Sequence, residues 1–183
     1  MGLSSAAPPA GMPSCSNLCY YAPLPGIPPA ATNKADVCVY GGTPGGVTAA
    51  IQAARMGKTA MLVVFGRHVG GITSGGLTRT DGGRAIGGLA REFYTRLGRT
   101  SGFNPDAAEA AFRAMLMQAG VRLFDTQHLM GVTRSDNRIT AIAMENGSVF
   151  QARVFIDTSY EGDLMAMAGV RYHVGREANA AYG

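Results

Sequence analysis

The chain has 183 residues with 16 Lys and Arg against 12 Asp and Glu, a formal charge of only +4. Its arginines are scattered, from Arg55 and Arg67 through Arg79, Arg84, Arg91 and Arg96 to Arg99, which argues against the dense basic stripe of a nucleic-acid binder. No apolar run is long enough to span a membrane, and Cys15, Cys19 and Cys38 make neither a disulfide framework nor a metal set.

The first 33 residues hold seven of the nine prolines, with no basic start and no sustained apolar segment. That composition argues against a standard secretion signal and for a disordered proline-rich leader, residues 1–33, ahead of a domain over 34–183. Cys15 and Cys19 fall in the leader. From Asp36 the pattern changes. Val37, Cys38, Val39 and Tyr40 form a short apolar run, read as a buried parallel strand with Cys38 as a small core residue. The turn Gly41-Gly42-Thr43-Pro44-Gly45-Gly46 follows, then an alanine-rich helix over about Val47 to Met56, stopped at Gly57-Lys58. Ala60 to Val64 is a second apolar strand. Glycine in such a turn permits positive φ and removes the Cβ between backbone and ligand. A helix opening there aims unpaired N–H groups and its positive end at an anion, which suits the pyrophosphate of a nucleotide.

Two positions depart from the G-x-G-x-x-G pattern. Thr43 stands at the middle glycine, although Gly41 and Gly46 hold the outer ones. The acidic residue that grips the ribose hydroxyls, expected about 20 residues on, falls near Val64, 23 positions after Gly41, and both Val64 and Phe65 are apolar. By itself the motif leaves open a glycine-rich turn with another ligand or none. A second glycine turn, Arg67-His68-Val69-Gly70-Gly71-Ile72-Thr73-Ser74-Gly75-Gly76, follows the second strand directly. It brings another backbone segment against the phosphates, with Arg67 supplying charge. A nicotinamide dinucleotide does not need this wrap; a flavin dinucleotide buried along its length does.

Beyond it, the arginines from Arg79 to Arg99 read as a solvated face or, in part, an anion contact. Leu89, Phe93 and Leu97 recur every four residues on one helical face. Asn104-Pro105 opens a helix through Ala108, Phe112, Met115 and Leu116 to a stop at Gly120, its methionines filling core space. Val121 to Phe124 is a third parallel strand, leading to Gln127-His128-Leu129, where His128 reads as structural in preference to a catalytic base. Ile139, Ala141 and Ala143, then Val149, Ala152 and Val154, alternate around Asn146-Gly147, a two-residue hairpin signal. Residues 138–156 are therefore a β-meander inserted beside the parallel sheet, which Phe155-Ile156-Asp157 re-enters. Asp157-Thr158-Ser159-Tyr160-Glu161-Gly162-Asp163 is a second phosphate-side turn before a helix, with Asp163 read as the cap of Leu164 to Ala168. A metal cluster of Asp157, Glu161 and Asp163 is the weaker alternative, and no metal is expected.

Four stretches, VYGGTPGGVTAAIQAARMGK, GRHVGGITSGGL, IGGLAREFY and FIDTSYEGDLMAMAGVRYHVGREANAAYG, resemble the FAD-dependent oxidoreductases with a glutathione-reductase-type flavin fold, in that family's order, over about Lys34 to Gly183. Some members of the group carry a xanthan-lyase label. The resemblance implies an α/β fold: a Rossmann-like FAD-binding domain with a parallel sheet and inserted meander, incomplete at its C-terminus because the family continues into a substrate-facing domain. It implies FAD, its pyrophosphate on Gly41, Gly42, Thr43, Pro44, Gly45 and Gly46, with Arg67, Gly70 and Gly71 beside it. Ser74, Gly75, Gly76 and Leu77 come near the flavin end, the backbone at His128 and Leu129 passes the adenine, and Asp157 and Thr158 lie next to the cofactor. The family's second strand usually ends in glutamate, so Val64 and Phe65 mark the adenosine-ribose position without its carboxylate.

No residue stands out as a catalytic acid or base, since hydride chemistry belongs to the flavin; His68, Asp81 and Arg176 read as structural, and catalysis is unassigned. The expected function is the FAD-binding portion of an oxidoreductase that moves hydride from a small organic substrate to flavin. The alternative is a truncated or degenerate nucleotide-binding module without redox activity. A polysaccharide lyase would need a proton-abstracting base and a neutraliser for an acidic sugar, and no such pair is visible. Neither a nucleic-acid partner nor a membrane span is expected; the location is unassigned, the lack of a standard signal peptide leaning towards the cytoplasm.

Overall fold

The computed structural model describes residues 32–77 and 85–182. The expected leader up to residue 31, with Cys15 and Cys19, lies outside these residues, as do Arg79, Asp81 and Arg84. The elements run β1 (Thr32–Tyr40), α1 (Pro44–Arg55), β2 (Ala60–Val63), α2 (Gly71–Ser74), α3 (Gly88–Leu97), α4 (Pro105–Gln118), β3 (Arg122–Phe124), β4 (Leu129–Ser135), β5 (Arg138–Met144), β6 (Val149–Asp157) and α5 (Asp163–Met167). A six-stranded sheet has the order β3-β2-β1-β6-β5-β4. The first four of these strands are parallel, and β5 and β4 extend the sheet antiparallel. The fold is therefore α/β, with a mixed sheet.

Local chemistry accounts for the helix ends. Thr43 caps α1, its hydroxyl accepting from Gly46 N at 3.2 Å, and Pro44 occupies the first turn, where its missing N–H costs nothing. Asn104 caps α4 through Asp106 N and Ala107 N at 2.7 and 3.2 Å. Both helices stop where a glycine takes positive φ, Gly57 at 77° and Gly120 at 72°.

Three details differ from the sequence reading. Thr32 and Asn33, assigned above to the leader, pair with Val149 and Phe150 and belong to the sheet. The meander is no separate layer, because β6 is at once its last strand and the partner of β1 along the whole length of β1. Its first strand, β4, shows little alternation and was not expected. Burial also differs: Ile142, Met144 and Phe150, none of them among the alternating residues read above, are fully buried, while Val154 is 52% exposed. These three residues meet a second core.

That second core joins Cys38, Tyr40, Met61 and Val63 to Ile142, Met144, Phe150 and Leu164. On the opposite face, Val37, Val39, Ala60 and Leu62 pack on α1, α3 and α4, where Phe93 stacks on Phe112 with ring centroids 4.0 Å apart. Residues of β1 alternate between the two cores, so both faces of the central strand are buried, as in a parallel sheet covered on both sides.

Helix α4 also holds the loop after β2. The Glu109 carboxylate accepts from Val69 N (3.3 Å) and Arg113 Nε (2.8 Å) and lies 2.7 Å from His68 Nδ1, while Arg113 Nη2 donates to Arg67 O at 2.6 Å. Burial pushes the Glu109 carboxyl up, but the bonds from His68, Arg113 and Val69 outweigh it, and the net shift is downward. A carboxylate with a lowered folded-state pKa stabilises above its unfolded pKa, and that stabilisation is lost as pH falls through the folded value.

Glu109→Ala is accordingly expected to lower stability at pH 7 by about 1–2 kcal/mol. In thermal denaturation across pH the deficit should close below about pH 4; an equal deficit at pH 3 and pH 7 would refute the assignment. Burial pushes the Cys38 thiol up to about 12. In a chain with Cys15→Ser and Cys19→Ser, Cys38 should resist alkylation at pH 8 until the protein is denatured, as mass spectrometry would read.

Candidate functional site

Strands β2, β1 and β6 are neighbours, and the turns that leave their carboxyl ends meet at one place, where open α/β sheets form their crevice. Gly70 N donates to Gly42 O at 2.7 Å, tying the second glycine turn to the first. Thr158 N donates to Tyr40 O at 2.8 Å. The Thr158 hydroxyl lies 3.0 and 2.9 Å from the carbonyls of Tyr40 and Gly41, and Thr43 Oγ1 donates back to Thr158 O at 2.9 Å.

This closeness dictates the glycines. Gly41 has φ 116°, and a Cβ there would stand 2.5 Å from backbone atoms of Thr158 and Ser159. A Cβ at Gly46 would stand 2.0 Å from Gly41 O, so helix and turn touch backbone to backbone. Gly70 admits the Phe112 ring, which would lie 2.5 Å from a Cβ.

The departure at Thr43 has a local explanation. Its hydroxyl accepts from Gly46 N and donates to Thr158 O, so the side chain is absorbed into the turn as the helix cap. Gly41 N is used by Val63 O. Among the described residues, no acceptor takes the amide hydrogens of Gly42, Thr43 or Gly45. Gly45 is exposed, and Gly42, Thr43 and Pro44 are half-buried. The N-terminal end of α1 therefore presents an anion-binding surface.

Val64 is 3% exposed, and its Cγ1 would stand 2.5 Å from a Cβ on Gly42. It backs the first turn with methyl groups where a ribose carboxylate was sought. The next residue, Phe65, is partly exposed and meets the His128 ring edge-on at 4.3 Å, beside Leu129 at the start of β4. The Arg67 side chain is exposed, and its carbonyl accepts from Arg113. Gly71 opens α2 directly after Gly70. Ser74 is buried and turns inward, donating to Val69 O at 2.5 Å, whereas Gly75, Gly76 and Leu77 are exposed.

The Asp157 carboxylate is committed to its own turn. It accepts from Ser159 N and Oγ on one oxygen and from Met165 N on the other, at 2.7–2.9 Å. Asp163 is not the cap of the following helix: Gly162, at φ 72°, holds that position and Asp163 begins α5. Burial raises the Asp163 carboxyl, with the charges of Asp157 and Glu161 adding to the rise. Among the described residues, no group of three His, Cys, Asp or Glu side chains is placed to hold a metal.

The structure thus gathers Gly41 to Gly46, Gly70, Gly71, Val64 and Thr158, while Ser74 and Asp157 are spent within their own segments. Two contributors went unread in the sequence. Tyr160 accepts from Ile72 N at 2.7 Å across 88 residues, and its one signal was a lone aromatic in a turn of small polar residues. Glu109 left no signal, because the loop it holds is not its sequence neighbour.

Solved structures share this fold at identities that speak to fold alone. An L-proline dehydrogenase from P. horikoshii aligns with a TM-score of 0.62 and 14% identity over 79% of this chain and 58% of that one. A geranylgeranyl bacteriochlorophyll reductase-like protein from Thermoplasma acidophilum gives 0.58 and 17% over 80% and 44%. A bacillithiol disulfide reductase from Staphylococcus aureus gives 0.53 and 18% over 69% and 38%. The chain thus spans less than two thirds of the length of each. No curated protein matches it. The family model described as FAD dependent oxidoreductase matches residues 36–183, and the chain belongs to that family.

Proposed function

We propose that this chain is the FAD-binding part of an oxidoreductase that takes hydride from a small organic substrate. The diphosphate sits at the N-terminal end of α1, on the amides of Gly42, Thr43 and Gly45, with Gly70 and Gly71 alongside. One observation carries the reading: a turn whose outer glycines are sterically obligatory leaves three neighbouring amides unclaimed at a helix N-terminus. Bound there, FAD supplies the hydride-accepting ring, and the protein supplies binding and orientation.

The fit is uneven along the nucleotide. Backbone amides and the helix dipole suit the diphosphate. The adenosine ribose meets Val64, which offers no acceptor to its hydroxyls. Phe65, His128 and Leu129 lie nearby and border the adenine in this reading. Arg67, exposed at the surface, adds positive charge to the phosphate side.

Titration of the purified chain with FAD, followed by quenching of flavin fluorescence, tests the proposal. Saturable binding is expected, and a preparation that stays colourless after FAD is added and removed would sink it. Val64→Glu should tighten binding about tenfold, or 1.4 kcal/mol, by restoring the ribose acceptor. The same variant should be less stable without FAD, because a buried carboxylate then lacks a partner.

A further inference from the structure

Tyr160 is conspicuous for what its hydroxyl does while its ring stays outside. The residue is 62% exposed, so burial of the ring does not account for its position. It leaves the end of β6, crosses above the β1 turn and reaches the β2 turn, where its hydroxyl accepts from Ile72 N at 2.7 Å. A Cβ on Gly71 would stand 2.2 Å from that hydroxyl and 3.3 Å from Pro44 Cδ, so Tyr160, Gly71 and Pro44 converge.

The other bonds in the region join nearest neighbours only. Gly70 to Gly42 links the β2 turn to the β1 turn, and Thr158 to Tyr40, Gly41 and Thr43 links the β6 turn to the β1 turn. The Tyr160 bond links the two outer turns directly and completes a ring of three segments beside the open end of α1.

From this geometry we infer that Tyr160 is a positioning residue for the dinucleotide: its hydroxyl holds the second glycine turn at a fixed distance from the first, and its exposed ring walls the space between them. The inference rests on the FAD reading above and adds to it a residue that touches neither glycine motif in sequence. Fixing two backbone segments before a ligand arrives reduces the ordering cost of binding. An exposed side chain with one hydrogen bond adds little to the stability of the empty fold.

The test compares the full chain with Tyr160→Phe, which keeps the ring and loses the hydroxyl, and with Tyr160→Leu, which loses both. Three quantities are read: hydrogen exchange at Ile72 without FAD, the thermal midpoint without FAD, and the Kd for FAD. In Tyr160→Phe we expect faster exchange at Ile72, an unchanged midpoint, and a Kd about fivefold weaker, as for one lost hydrogen bond. Tyr160→Leu should be weaker still. Unchanged exchange at Ile72 would overturn the inference, as would faster exchange with an unchanged Kd. A fall in midpoint large enough to account for the weaker binding would make Tyr160 a plain stability element and overturn it too. Failure of the unmutated chain to bind FAD would remove the cofactor reading itself, and the positioning role with it.

Discussion

The arrangement depends on backbone meeting backbone at the end of the central strand. Tyr40 and Gly41 close β1 with carbonyls that Thr158 takes over from β6, and the first turn of α1 lies so near that Gly46 can carry no side chain. Atoms at such distances leave almost no freedom of placement. The turn is therefore rigid because of its neighbours, not because of its own composition, which is unusually permissive. Rigidity matters for an anion site, since amide dipoles stabilise charge best when they need no rearrangement to meet it.

Two deviations from the dinucleotide pattern have opposite consequences. Thr43 in place of glycine is accommodated, because its hydroxyl has both a donor and an acceptor role to fill within the turn. It satisfies the helix cap and fastens the turn to β6, at the expense of one amide, that of Gly46. Val64 in place of an acid is not compensated in the same way. Its methyl groups improve packing behind Gly42 and remove the only ionic handle expected on the ribose. The open end of α1 thus suits an anion, while Val64 adds no hydrogen-bond acceptor beside it.

The legible part of this protein was the part governed by local rules. Strand, glycine turn, helix and strand from Val37 to Val64 followed from hydrophobic period and punctuation, and so did the capped helix at Asn104. The illegible part was set by long-range choices. The burial of Ile142, Met144 and Phe150 depended on a distant partner, the cluster of Cys38, Tyr40, Met61 and Val63, and apolar residues on both faces of these strands masked it. The fusion of the meander with the parallel sheet depended on β6 serving two partners. Likewise Asp163, a good cap by type, lost that place to Gly162 because the chain needed positive φ there. Tyr160 and Glu109 act on segments distant in sequence, and neither motif nor period records such partners.

β6 has a further consequence for how the protein comes into being. The bond from Thr158 to Tyr40 spans 118 residues, and the sheet cannot be completed until the last of its strands has been made. A ribosome delivers the amino-terminal half first, so the glycine turn waits in an unfinished sheet, its apolar strand without one neighbour. Such distant pairing slows folding, and a nascent chain of this kind is competent to capture nucleotide only after nearly all of the described sequence has emerged.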